Sequence, residues 1–236
     1  MIVNAFLIHV YNEQKEAFMN PVTSKKIKTM TSVALMTAVL CILSPLSVPI
    51  GPVPVSLAVL AVLLCAYALP PLQAGMASFL YLILGLAGLP VFAGYTAGPG
   101  RLLGPTGGYI IGFIFLALIS SFAIKQSYAP TRGKKADHIP QVGVIIGLKG
   151  AIIQLAGMLI GMAVLYAFGT AWFVISKNVP AVAGDAAGGM TVAVALAKCV
   201  TPFVAIDLLK VGIAFVVGNA LHLALTRAGL MTAYSD

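Results

Sequence analysis

Residues Leu89–Phe113 read LPVFAGYTAGPGRLLGPTGGYIIGF, a run with Arg101, prolines at 90, 99 and 105, and seven glycines (Gly94, Gly98, Gly100, Gly104, Gly107, Gly108, Gly112). Glycine admits positive φ and close backbone approach, so such a run can fold into a compact loop that presents backbone N–H groups. Long apolar segments flank it on both sides, and what they form decides how the loop is read. Of the 236 residues, 60% are hydrophobic and only 8% are charged, whereas a soluble domain carries about a quarter charged residues. At a mean hydropathy of +1.04, too little polar surface remains to cover a water-soluble core. The chain is read as an integral membrane protein built to hold this loop over a cavity.

A bilayer core needs about 20 apolar residues per helix. Six stretches meet or approach that length, roughly 29–47, 54–69, 72–91, 107–124, 141–167 and 200–226. The second is short, so it must stand nearly upright or thin the bilayer locally. Proline punctuates the joints at 45, 49, 52 and 54, at 70 and 71, and at 90, where it cannot continue a helix. The 126–140 connection is polar and basic; 168–199 is a second long connection, within which Met190–Val200 can dip into the membrane. The expected architecture is an all-α membrane bundle of six transmembrane helices over residues 25–228, with an N-terminal extension at 1–24 and a short tail at 229–236. Ile2–Tyr11 is apolar but too short to span, and it lacks the basic leader and cleavage pattern of a signal peptide.

Charge sets the orientation. With the N-terminus inside, the inner segments carry nine basic residues (Lys15, Lys25, Lys26, Lys28, Lys125, Arg132, Lys134, Lys135, Arg227) against three outside (Arg101, Lys177, Lys198). The positive-inside rule then places both termini in the cytoplasm and the 92–106 loop outside. The net charge of +8 is a topological signal, not a nucleic-acid footprint. No internal repeat, GxxxxGK[ST] phosphate loop, HExxH or GxSxG occurs, so neither an inverted-repeat transporter nor an ATPase or hydrolase is supported. Cys41, Cys65 and Cys199 lie apart in apolar stretches, without metal-ligand spacing, and read as packing residues. His9, His138 and His222 are scattered and read as solvated or packed.

Asp207 is the only carboxylate inside an expected span, where ionisable groups face a partner or a water-filled cavity. Lys210, three positions on, shares its helix face. The two are either a structural ion pair or the acceptor and donor of a binding cavity; the second arrangement suits a neutral urea-like or amide-like head group. Arg101 adds a positive charge on the same outer side, suited to a ligand carboxylate or solvated at the headgroups. Phe92, Tyr95, Tyr109 and Trp172 fall near the outer interface, Trp172 as an interfacial anchor and the two loop tyrosines as ligand candidates. Ala34 and Ala38 form a small-xxx-small pair on the first helix that admits close approach of another helix, from this chain or a partner. Lys149 is expected to snorkel to the inner interface.

GLPVFAG (Gly88–Gly94), LLGPTGGY (Leu102–Tyr109) and PFVAIDLLK (Pro202–Lys210), in that order within a six-helix chain, resemble the BioY family, the biotin-specific S components of energy-coupling factor (ECF) transporters. The likeness extends over most of residues 25–228. It implies a vitamin-binding bundle that captures biotin from outside, without a catalytic site, cofactor or metal. It also implies association with a transmembrane coupling subunit and two cytoplasmic ATPase subunits in a bacterial plasma membrane. By this resemblance Asp207 and Lys210 contact the biotin ring system, and Ala34 and Ala38 form the docking surface for the coupling subunit. The chain departs from the family pattern after LPVFAG, where it lacks paired glycines, and after GGY, where Ile110 stands in place of an arginine found in some members. Arg101 is therefore the candidate partner of the ligand carboxylate, assisted by Thr96, Tyr95, Tyr109 and loop amides such as that of Gly94. The alternatives are an S component for another small carboxylated vitamin, an intramembrane enzyme using Asp207, and a structural membrane subunit.

Overall fold

The computed structural model describes residues 21–49, 54–128, 147–178 and 191–228. Residues 1–20 of the expected N-terminal extension, most of the basic 126–140 connection, His9, His138 and the C-terminal tail lie outside the described residues, while residues 21–24 belong to the first helix. In chain order the elements are α1 (Pro21–Leu43), β1 (Ser47–Val48), β2 (Val55–Ser56), α2 (Ala58–Ala68), α3 (Pro71–Leu86), α4 (Pro99–Leu103), α5 (Gly107–Tyr128), α6 (Leu148–Asn178), α7 (Val192–Cys199) and α8 (Thr201–Arg227). Four of these helices carry apolar windows long enough to cross a bilayer, at Lys26–Leu43, Gly107–Tyr128, Leu148–Asn178 and Phe203–Arg227, while α2 and α3 are shorter apolar helices.

The differences from the expected spans follow from local chemistry. Span one stops at Leu43 and not at 47, because Pro45 disfavours helix at the preceding residue. Residues 54–57 do not open the second helix. Val55 and Ser56 pair antiparallel with Val48 and Ser47 in a small hairpin, and α2 keeps only 11 residues, about 16 Å of rise. Nine of those residues, from Ala58 to Ala68, are buried, so α2 is enclosed by its neighbours and need not reach both faces of the bilayer. The third helix ends at Leu86, followed by Gly88 at φ +103°. The fifth runs on past 167 to Asn178, which makes 168–178 helix and not part of a connection. That segment, FGTAWFVISKN, is mostly apolar, and a lone Gly169 does not stop a helix.

Small residues bring α5 and α6 together along their length. A Cβ on Gly112 would lie 2.6 Å from Leu165, one on Gly157 2.0 Å from the Ala123 Cβ, and one on Gly161 3.0 Å from both Leu116 and Ser120. In lipid, where burial of apolar surface gives no drive between helices, such close approach supplies the dispersion contacts that hold them. α3 packs on α5, and α2 lies between α5 and α8; Gly218 of α8 lets the Tyr67 ring of α2 approach. Away from the hairpin, a buried polar cluster joins four helices. Tyr67 and Asn219 both donate to Gln154 Oε1, at 3.0 and 3.2 Å, and Gln154 Nε2 donates to Ser127 at 2.8 Å. Tyr128 donates to Asn219 Oδ1, and its ring stacks on His222 with centroids 3.9 Å apart, so His222 is a packed histidine with partners. These hydrogen bonds replace water that the membrane interior cannot provide.

Candidate ligand-binding site

Beside the hairpin lies a partly open cavity, whose atom-free space of about 700 Å³ includes solvent at its mouth. Its walls are aromatic, with Tyr81, Phe92, Phe113 and Phe203 prominent, and its other polar residues are few: Ser56, Arg101, Thr106, Tyr109, Tyr166, Asp207 and Lys210. A mostly apolar pocket with a handful of convergent polar groups is the general form of a small-molecule site. Tyr81 sets the aromatic wall, edge-on to Phe92 at 5.6 Å between centroids. Phe92 fills the space left by Gly85, where a Cβ would lie 2.1 Å from the ring.

Asp207 and Lys210 lie one helical turn apart on α8, each only 6% exposed. Lys210 Nζ donates to Asp207 Oδ1 at 2.7 Å and to the Ser56 carbonyl at 2.8 Å. The other carboxylate oxygen, Oδ2, accepts from the Tyr166 hydroxyl of α6. The carboxylate is thereby held from two sides, with a lone pair left on each oxygen, and the ammonium has a third proton to offer. Buried charges persist only when paired and hydrogen-bonded in this way.

Arg101 lines the cavity from α4, and no ion pair to it occurs among the described residues. Its Nε donates to Thr96 Oγ1 at 2.9 Å, and that hydroxyl donates to the Ala93 carbonyl at 3.0 Å. Thr96 thus touches Arg101 and not the cavity. Tyr109 lines the cavity with its ring, and its hydroxyl meets Thr170 at 3.3 Å. Besides Thr96, two more expected site residues are not brought there. Tyr95 is 64% exposed, is not among the residues that line the cavity, and sits at φ +57° in the turn, a left-handed conformation uncommon outside glycine. Gly94 is exposed, and its amide donates to the Pro45 carbonyl at 3.0 Å. The loop does not present a row of free amides either. Those of Gly98, Arg101, Gly104 and Gly107 donate to Gly85, Gly98, Gly100 and Gly104 in turn.

Tyr166 and the Ser56 carbonyl escaped the sequence reading. Tyr166 lies 41 positions from its partner on a different helix, and a backbone carbonyl has no residue signature. Trp172, expected as an interfacial anchor, donates its indole N–H to the Gly104 carbonyl at 3.1 Å. Ala34 and Ala38 are both exposed on α1, which removes the reading in which they pack inside the chain. Lys149 is exposed, as snorkelling requires. Among the described residues no three His, Cys, Asp or Glu side chains gather as a metal site would need.

Comparison with known proteins places this geometry. The model of the BioY family matches residues 14–227. The biotin transporter BioY2 of Lactococcus lactis subsp. cremoris is 33% identical over 202 residues, covering 86% of this chain and 94% of that protein. The biotin transporter BioY of Thermotoga maritima is 36% identical over 123 residues, 51% of this chain and 71% of that one. Among solved structures, the crystal structure of the S-component for biotin from an ECF-type ABC transporter superposes with a TM-score of 0.65 at 26% identity, over 84% of this chain and 93% of that one.

Proposed function

This chain belongs to the BioY family, and from that membership we infer that it is the biotin-binding subunit of an ATP-driven vitamin uptake system in the cell membrane. It is a transport subunit and not an enzyme, so Tyr166 beside Asp207 is a structural neighbour and no catalytic pair. The observation that carries the ligand assignment is the polar layout of one cavity. The biotin ureido ring offers two N–H donors and a carbonyl, matched by the free lone pairs of Asp207 and the remaining proton of Lys210. Its valerate carboxylate needs a cation, and Arg101 lines the same cavity without a carboxylate partner among the described residues. The aromatic wall of Tyr81, Phe92 and Phe113 receives the apolar ring and chain.

The chain has no phosphate loop, so energy must come from elsewhere. The proposed partners are a transmembrane coupling subunit, docking on the outward face of α1 around Ala34 and Ala38, and two ATPase subunits on the cytoplasmic side. In this reading both termini are cytoplasmic and the cavity faces outward. Lys125, Lys149 and Arg227 support it, for they lie at the end of the bundle away from the cavity. The test is calorimetric titration of the purified protein with biotin, thiamin and riboflavin. Biotin is expected to bind below micromolar Kd and the other two not at all; the reverse preference would assign a different vitamin.

A further inference from the structure

Trp172 does not line the cavity, yet it touches the element that carries Arg101, the cavity cation with no carboxylate partner among the described residues. Its indole Nε1–H donates to the carbonyl of Gly104 at 3.1 Å, and Gly104 is the residue that closes α4, the five-residue helix bearing Arg101. The turn around it is compressed. A Cβ on Gly108 would fall 2.3 Å from the Trp172 Cβ, and one on Gly107 would fall 1.6 Å from the Leu102 carbonyl oxygen. α4 is thus pressed against the start of α5 and tied to α6 through one indole. Six positions earlier on α6, about 9 Å along the axis, Tyr166 holds Asp207. One helix therefore bears on both polar ends of the cavity.

We propose that Trp172 is a positioning residue: by fixing α4 against α6 it sets where Arg101 stands relative to the Asp207–Lys210 pair, and so makes the site selective for a ligand that ends in a carboxylate. The inference rests on the reading of Arg101 as the carboxylate's partner. It distinguishes Trp172 from an interfacial anchor, whose loss would loosen the protein without regard to the ligand's tail.

The test compares biotin with biotinol, in which an alcohol replaces the carboxylate, on the full-length protein. Trp172→Phe keeps most of the ring and removes the donor; it should weaken biotin about threefold to tenfold, the scale of one neutral hydrogen bond, and leave biotinol within about twofold. Gly108→Ala, which displaces the indole without removing it, should produce the same biotin-specific loss. Arg101→Gln should abolish the preference for biotin over biotinol, and adding Trp172→Phe to it should cost nothing further. Equal losses for both ligands, no loss for either, or full additivity with Arg101→Gln would each overturn the positioning role. An Arg101→Gln protein that still prefers biotin would instead overturn the Arg101 assignment on which it rests.

Discussion

Replacing Lys210 by Met separates an ion pair that binds from one that only packs. Wild-type Lys210 makes two hydrogen bonds, 2.7 Å to the buried Asp207 and 2.8 Å to the carbonyl of the half-buried Ser56. The substitution leaves a carboxylate 6% exposed with Tyr166 as its remaining donor. Removing one partner of a buried pair costs about 3–5 kcal/mol, so Lys210→Met is expected to lower the Tm sharply in detergent. Combining it with Asp207→Asn removes the stranded charge and keeps an acceptor for Tyr166. What remains is mainly the orphaned Ser56 carbonyl, about 1–3 kcal/mol, and the double variant should melt above the single one. Affinity should not follow stability. Each hydrogen bond from a charged group to the ligand is worth about 1.5–3 kcal/mol, or about 10- to 150-fold in Kd, and the double variant has lost both. Thermal unfolding and biotin titration on the same three proteins read the two quantities. A double variant that regains stability and binds biotin like wild type would refute the ligand assignment and leave the pair a packing device.

Other consequences can be checked separately. Ala34→Trp or Ala38→Trp should abolish co-purification with the coupling subunit while leaving the biotin Kd within about twofold, since both residues face outward on α1. Gln154→Leu removes the acceptor of the buried Tyr67 hydroxyl, while Ser127 and Asn219 keep the Ile124 and Phe215 carbonyls; at about 1–3 kcal/mol for an unsatisfied buried group, it should lower thermal stability, and any biotin bound by the folded fraction should keep its affinity. Gly157→Val places a branched side chain where a Cβ already lies 2.0 Å from Ala123, so α5 and α6 must separate, and the folded yield in membranes should fall.

The membrane class and the helix positions were legible because apolar length and proline punctuation act locally. Asp207 and Lys210 stood out for a related reason, as charges in apolar surroundings. The loop was legible only as a loop. The loop's path is set by left-handed residues at Gly94, Tyr95 and Gly98 and by amide hydrogen bonds to the carbonyls of Pro45 and Gly85, partners far from the glycines in sequence. Arg101 lines the cavity while Tyr95 and Gly94, expected to assist it, do not. The hairpin at 47–56 replaced the start of an expected helix because Val48 and Val55 pair across a proline-rich connection, and pairing between segments leaves no period to read. Tyr166 was hidden for the same reason as most helix-to-helix contacts: its partner is fixed by packing and not by spacing.

The Ser56 carbonyl gives the site an unusual relation to mutation. It anchors Lys210 with an atom that every amino acid possesses, so the identity of residue 56 can change without removing the contact. The position of that oxygen depends instead on the path of the backbone between Leu43 and Ala58, above all on the pairing of Ser47 with Ser56. Inserting or deleting one residue in this connection would shift the register and turn the carbonyl at that position to the other edge of the strand. Substitution scanning across residues 47–56 would report a tolerant surface hairpin; a scan of its length would find a wall of the binding site.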